Sequence, residues 1–360
     1  MLFDRVAVPV AGRGTKGAWL GSRRVMAVDG FMLDVADTPD NVTEFGRLDD
    51  GPTASAFPQV RVVALEECGS HGTIAASFGP CKVDERALMA DLLGAFEPDM
   101  LVINDRNFYS FPLWTKALKT GADLLWRVTA TVTLPVLEPL PDGSYRSMVI
   151  NPKITGARWQ ALLDQARRGQ EIPQDKAIPV RLIEYEIPDR EGSGTGELIC
   201  LITSILDPSD VTAIELATAY HGRWESETSF REKKTYLRRS GRVLRSKSPN
   251  MVRQEIWVLL LSCAQPPTKP ATILTVSRSR AHFASSAARS PTRRIFPPER
   301  RKKVINTTIT EILEQLNERR HRTYPRVVKR ARHNSYRVRQ ATDIGTKHDG
   351  PPTVELRRIA

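Results

Sequence analysis

Residues 25–35 read VMAVDGFMLDV, an apolar run broken by Asp29-Gly30 and, near its end, by Asp34. Consecutive apolar residues of this kind suit a strand buried on both faces. Asp-Gly is turn-prone, which predicts that Asp29 stands at or near the end of that strand. The polar stretch DTPDNVTEFG at 37–46 then reads as a loop. Two further strands are expected, one over 60–67 within QVRVVALEE and one over 73–78, separated by the turn-like GSHG at 69–72. Together they make a three-stranded meander.

Beyond the meander the pattern alternates. DERALMADLLGAF at 84–96 carries apolar residues at helical spacing with acids in its first turn, and MLVIND at 100–105 is a short apolar run ending in Asp105. A second helix at about 110–120 leads through Gly121 into the strand ADLLWRVTA at 122–130. The order strand, strand, strand, helix, strand, helix, strand is that of an α/β, RNase H-like (ribonuclease H-like) fold. Residues 131–208 break it, with many Pro and Gly, the strand-like runs RLIEYEI and ELICLITSIL, and one helix expected near 159–170. They read as a β-rich insertion. From Val211 to about Leu237 only Gly222 interrupts a stretch as long as a long helix, and 249–263 is a second, apolar helix. The expected divisions are therefore a first core part at 1–130, the β-rich insertion at 131–208, the rest of the core at 209–263, an irregular segment at 264–303, and a basic C-terminal region at 304–360.

Composition limits what such a chain does. Its 360 residues, 41% of them hydrophobic, suffice for about two domains with a real core. The longest uninterrupted apolar stretch is Ile256 to Leu261, and Asp4 and Arg5 stand where a signal peptide would be apolar, so a cytoplasmic protein without a membrane partner is expected. Cys68, Cys81, Cys200 and Cys263 form no CxxC pair, and the six histidines form no HExxH or Cys/His cluster, which argues against disulfides and structural zinc. The net charge of +12 is unevenly distributed: residues 1–263 hold 31 Lys+Arg against 34 Asp+Glu, and residues 264–360 hold 22 against 7. The excess sits in the tail, which reads either as a solvated end or as a contact for nucleic-acid phosphates.

Three features bear on chemistry. GRGTKG at 12–17 matches GxGxxG in form, but Pro9 interrupts the run before it and Gly21-Ser22 ends the run after it, so the strand and helix a dinucleotide site needs are missing. Asp29 from the first strand and Asp105 from the fourth are carboxylates that an RNase H-like fold brings together with a third from its last helix. Phosphodiester chemistry needs such a set, because two Mg²⁺ ions take hard oxygen ligands and stabilise the attacking and leaving oxygens. Taken singly, Asp29 also reads as a turn residue and Asp105 as a helix N-cap. In YHGRWESETSFREKK, Tyr220, Arg223, Glu227 and Lys234 fall at i, i+3, i+7 and i+14, within about 60° of helical arc. One acid between two cations and a tyrosine suits a surface that binds metal and DNA phosphate, and equally a salt-bridged solvent face.

Tyr-x2-Arg-x3-Glu-x6-Lys resembles the signature of the insertion sequence 4 family of bacterial DDE transposases. VDG around Asp29, DRNFYSFPLW from Asp105, GADLLWRV, LPDGSY, LITSILDP and LRSKSPNMVRQEIW are similar to successive blocks of its actinobacterial members. The likeness covers about 1–263 and returns at about 296–338 with PRVVKR. The resemblance implies a DNA transposase of a mobile element that cuts transposon ends and joins them to target DNA. Asp29, Asp105 and Glu227 would then be the catalytic metal ligands, for Mg²⁺ or Mn²⁺, and Tyr220, Arg223 and Lys234 the DNA contacts. The implied partners are transposon terminal inverted repeats, target DNA and a second copy of the chain in a synaptic homodimer, at the nucleoid in the cytoplasm. Base stacking by an aromatic of the insertion is a further family trait, for which Trp126 and Trp159 are the candidates. An RNase H-like nuclease without strand transfer and a non-catalytic DNA-binding remnant are the alternatives, distinguished by whether divalent metal elicits cleavage.

The chain also departs from that family. Phe31 stands where a small hydroxyl residue is common, and Gly222 stands where glutamate is usual. On that resemblance the chain is expected to begin about where the family's catalytic domain does, without its N-terminal DNA-binding region. AQPPTKPATILTVSRSRAHFASSAARSPTRR at 264–294 replaces an expected amphipathic helix, and helical periodicity resumes at 304–319. A pair of compensating frameshifts around 264–292 in a degenerate copy accounts for both edges; a proline-rich linker is the alternative.

Overall fold

A computed structural model describes residues 2–49, 54–129, 131–187, 197–232, 243–264 and 355–356. The expected irregular segment and basic region at 264–303 and 304–360 lie outside the described residues, apart from Ala264 and a two-residue strand.

The run at 25–35 forms the centre of the molecule. Strand β2 (Arg23–Asp34) takes β1 (Trp19–Leu20) beside its start, antiparallel β3 (Gln59–Glu67) on one side and parallel β5 (Met100–Asn104) on the other. Antiparallel β4 (Thr73–Pro80) lies outside β3, and β6 (Asp123–Val128) runs parallel to β5. The meander and the two parallel strands thus fall in the order β4-β3-β2-β5-β6. Residues 131–208 do not form a separate layer. Their strands β7 (Glu138–Pro139), β8 (Tyr145–Ile150), β9 (Ala177–Ile187) and β10 (Glu197–Thr203) continue the same sheet past β6 in the order β10-β9-β8-β7. A short β11 (Glu355–Leu356) pairs with β9.

Helices cover both faces, and strand alternation decides which side chains meet them. Met26, Val28, Met100 and Val102 face Leu88 and Met89 of α3 (Glu85–Asp91) and Trp114 and Ala117 of α4 (Phe111–Leu118). Both helices are capped by a side chain: Asp84 accepts from the Arg86 N–H, and Ser110 accepts from the Leu113 N–H. On the other face Val25, Ala27, Leu101 and Ile103 meet Leu216, Ala217 and Tyr220 of α6 (Ala213–Glu232). Phe31, Leu33, Val60 and Val62 meet Val252, Ile256 and Leu260 of α7 (Pro249–Ala264). Helix α6 begins with a reciprocal cap: Thr212 N–H donates to Glu215 at 2.9 Å, and Glu215 N–H donates to the Thr212 hydroxyl at 3.4 Å. Among the described residues α1 (Leu2–Val6) packs on α7, α5 (Gly156–Arg167) covers Met148 and Ala177, and no helix is long and apolar enough to cross a membrane.

Two expectations are corrected. Asp29 does not end its strand, because β2 continues through Gly30 to Asp34. Gly30 serves there as a residue without Cβ rather than as a turn, since a Cβ would stand 2.9 Å from Glu85 Oε1. Residues 37–46 are not all loop. Helix α2 (Pro39–Phe45) forms within them, with Thr38 accepting from the Asn41 N–H, Pro39 in its first turn, and Phe45 buried under α7.

Candidate functional site

The parallel register of β2 and β5 pairs Val28 with Asn104. The next residue in each case is a carboxylate, Asp29 within β2 and Asp105 just past the end of β5. Neighbouring strands lie about 4.8 Å apart, so the two acids leave the sheet side by side. They also leave on the same face. Asp29 follows Val25 and Ala27 by twos, and Asp105 follows Leu101 and Ile103, with its own backbone still extended at φ −77°, ψ 163°. That is the face covered by α6.

Both carboxyl groups are half-buried, and each is oriented by a local backbone donor. Gly30 N–H donates to Asp29 Oδ1 at 2.8 Å, and Arg106 N–H donates to Asp105 Oδ1 at 2.7 Å. Behind them the sheet is fully buried. The fully buried Asn104 amide, oriented to satisfy both neighbours, donates to the Ile103 carbonyl at 3.0 Å and accepts from the Trp126 indole N–H at 3.1 Å. It anchors the end of β5, and so the place of Asp105. Tyr109, in the same connection, is pushed up to about 12 by burial and stays neutral around pH 7.

Asp29 occupies a seam. Ala27, two residues before it, lies under α6, and Phe31, two residues after it, lies under α7. Phe31 is 4% exposed, so the residue that departs from the family pattern is a core side chain of the α7 layer. Gly222 lies on α6, where a Cβ would meet nothing within 4 Å. Glu66 is an acid that reading the sequence missed. It pairs across from Ala27, on the face of Asp29, and is 1% exposed with the Thr73 hydroxyl 3.3 Å from its carboxylate. Its one sequence signal is an acidic pair closing an apolar strand.

The third expected acid, Glu227, is a position on α6, but its side chain and that of Arg223 lie outside the described residues. Lys234 lies outside them altogether. Tyr220 is fully buried between α6 and the sheet, in the cluster that holds Leu216 and Ala217. Among the described residues no group of three or more His, Cys, Asp or Glu side chains could hold a metal ion. The described part of the site is therefore the pair Asp29 and Asp105. Hard oxygen donors of this kind, half-buried and adjacent, fit part of a divalent-cation shell that takes further ligands from outside the pair. Of the two aromatic candidates for stacking a base, Trp126 is excluded: it is fully buried edge-on to Trp114 at 5.1 Å. Trp159 on α5 is half-buried.

The chain is similar in sequence to known transposases. The family described as transposase DDE domain matches residues 20–263, more than half of the chain and the segment that contains both aspartates and α6. The transposase InsG for insertion sequence element IS4 of Escherichia coli (strain K12) is 28% identical over 246 residues, 68% of this chain and 51% of that protein. The putative transposase InsZ of the same strain is 27% identical over 121 residues, 33% of this chain and 40% of that protein. The chain thus spans about half the length, or less, of these curated relatives. A piggyBac transposase synaptic complex with hairpin DNA aligns over 82% of this chain and 54% of that one at TM-score 0.41 and 11% identity.

Proposed function

We propose that this chain, which belongs to the transposase DDE domain family and is of the insertion sequence 4 type, is a catalytic unit that cuts DNA strands at transposon ends and joins the freed 3′ ends to target DNA. The observation that carries the reading is the placement of Asp29 and Asp105 side by side on parallel β2 and β5, under α6. We read the order β4-β3-β2-β5-β6 as an RNase H-like core, and β10-β9-β8-β7 as the β-rich insertion extending it. Glu227 is the third acid. Seven residues beyond Tyr220 on α6, its position falls within about 20° of the azimuth that Tyr220 turns toward the sheet.

Asp29, Asp105 and Glu227 would hold Mg²⁺, or Mn²⁺ in its place. The bound metal supplies stabilisation of charge on the attacking and leaving oxygens of the phosphodiester. The chain's own residues prepare that place. The Gly30 and Arg106 N–H groups set the rotamers of the two aspartates, and the apolar layers of α6 and α7 exclude water on either side of the seam. Arg223 and Lys234 are assigned to DNA phosphates near the scissile bond. Tyr220 is assigned to DNA only if α6 shifts on binding, since here it packs against the sheet. The excess of Lys and Arg in residues 264–360 supplies sequence-independent affinity. A pair of copies would bring two ends together, at the nucleoid in the cytoplasm.

The test uses supercoiled plasmid carrying the DNA that flanks the chain's own coding sequence. With Mg²⁺ or Mn²⁺, the expected products are strands cut at discrete flanking positions, followed by joining of those 3′ ends to unrelated DNA. EDTA should abolish both. Cutting without joining would make the chain a nuclease, and no metal-dependent product would overturn the reading.

A further inference from the structure

The LPDGSY block is not used by the reaction as described so far, yet its aspartate is tied to the start of α6. Asp142 lies in the turn between β7 and β8, with Gly143 at φ 83° in the left-handed region that this turn requires. Its carboxylate accepts the N–H of Ala213, the first residue of α6, at 2.7 Å. It also accepts from the Ser144 hydroxyl at 2.6 Å and pairs with Arg181. Arg181, on β9, has no exposed side-chain surface. Its guanidinium donates to Ser144 Oγ at 2.8 Å, to the Val211 carbonyl at 2.7 Å and to the Asp207 carbonyl at 3.4 Å. One buried ion pair therefore fastens the β7–β8 turn to the whole connection from β10 into α6. Burial raises the Asp142 pKa, but the Ser144 hydroxyl, the Ala213 amide and Arg181 more than offset it, and the carboxyl titrates below its ordinary range. Arg23, at the start of β2, reaches the same connection through Asp210 at 2.6 Å while holding Asp123 on β6.

We propose that Asp142 and Arg181 are positioning residues that set the seat of α6 and, through it, the placement of Glu227 over Asp29 and Asp105. This rests on the reading of those three acids as one metal site. The lever is long. Glu227 lies 14 residues along α6 from Ala213, about 21 Å at the rise of an α-helix, so a tilt of about 5° at the anchored end moves it by about 2 Å. A displacement of about 1 Å in a catalytic group is enough to cost about a hundredfold. A buried pair of this kind adds little net stability over an apolar replacement but fixes one arrangement.

The experiment measures plasmid nicking against Mn²⁺ concentration, and Mn²⁺ binding without DNA by electron paramagnetic resonance, for wild type, Asp142→Asn and Arg181→Lys. Leu163→Ala, in the α5 patch, is the control for destabilisation alone. Asp142→Asn keeps the shape of the side chain and removes its charge. Arg181→Lys keeps the charge and removes the fork, so it remains informative if the first variant does not fold. In a folded variant the Mn²⁺ concentration for half-maximal nicking should rise, and the turnover fall, by about tenfold or more, the scale for a residue that orients metal ligands. KM for DNA should stay within about twofold, because no DNA contact is lost. Leu163→Ala should melt earlier with an unchanged Mn²⁺ curve. Folded Asp142→Asn or Arg181→Lys with wild-type Mn²⁺ dependence would overturn the positioning role while the metal site stands. Wild type that neither binds Mn²⁺ nor nicks would overturn the site reading, and this proposal with it.

Discussion

Asp29→Asn and Asp105→Asn should each lower metal-dependent strand cleavage by about a hundredfold or more, the scale on which loss of one charged or hydrogen-bonding catalytic group acts. Neither should unfold the protein. Asparagine is nearly isosteric, its carbonyl oxygen still accepts the Gly30 or Arg106 N–H, and both positions are half-buried rather than sealed in the core. The two carboxylates leave one face of adjacent strands, and like charges this close repel until a cation stands between them. Neutralising one therefore weakens metal binding while the backbone N–H that orients the side chain keeps its acceptor. Cleavage rates at saturating DNA, beside a thermal melt of each variant, check this. A melting temperature within a few degrees of wild type together with wild-type cleavage would remove both residues from the site.

Trp126→Ala should be the costliest single change in the core. The indole is fully buried, packs edge-on to Trp114, and carries the hydrogen bond that anchors Asn104. Truncating a buried tryptophan leaves a cavity and costs about 3–5 kcal/mol. For a chain of this size the melting temperature should fall by about 10 °C. Trp159→Ala removes a half-buried ring on α5 and should cost far less. Denaturant melts of the two variants separate the cases, and equal losses would mean that Trp126 is not the core residue described.

The succession of strands and helices is legible from the sequence because each central strand is an apolar run of the right length and the helix at 84–96 shows its periodicity. The runs at 100–105 and 122–130 had one reading, and β5 and β6 lie where it puts them. Asp29-Gly30 misled for a local reason. Gly30 makes room for Glu85 from a neighbouring helix, a tertiary fact that turn propensity cannot contain. Helix α2 was missed because it is short and mostly polar; its signals were Thr38 at the cap and Pro39 after it, with only Phe45 to reveal a buried face. Asp29 and Asp105 could be picked out as acids closing apolar runs. Their common face follows from counting by twos only once the register is known. The Asp142–Arg181 tie was invisible, since its partners come from residues 142, 144, 181, 207, 211 and 213, and no local pattern marks them.

If Asp29, Asp105 and Glu227 share one divalent cation site, crystals of the chain grown with Mn²⁺ should show an anomalous-scattering peak on the α6 side of β2 and β5, with carboxylate oxygens of all three residues within about 2.0–2.6 Å of an ion, the range of hard cation–oxygen bonds. A peak elsewhere, or one at Asp29 and Asp105 that Glu227 does not reach, would contradict it.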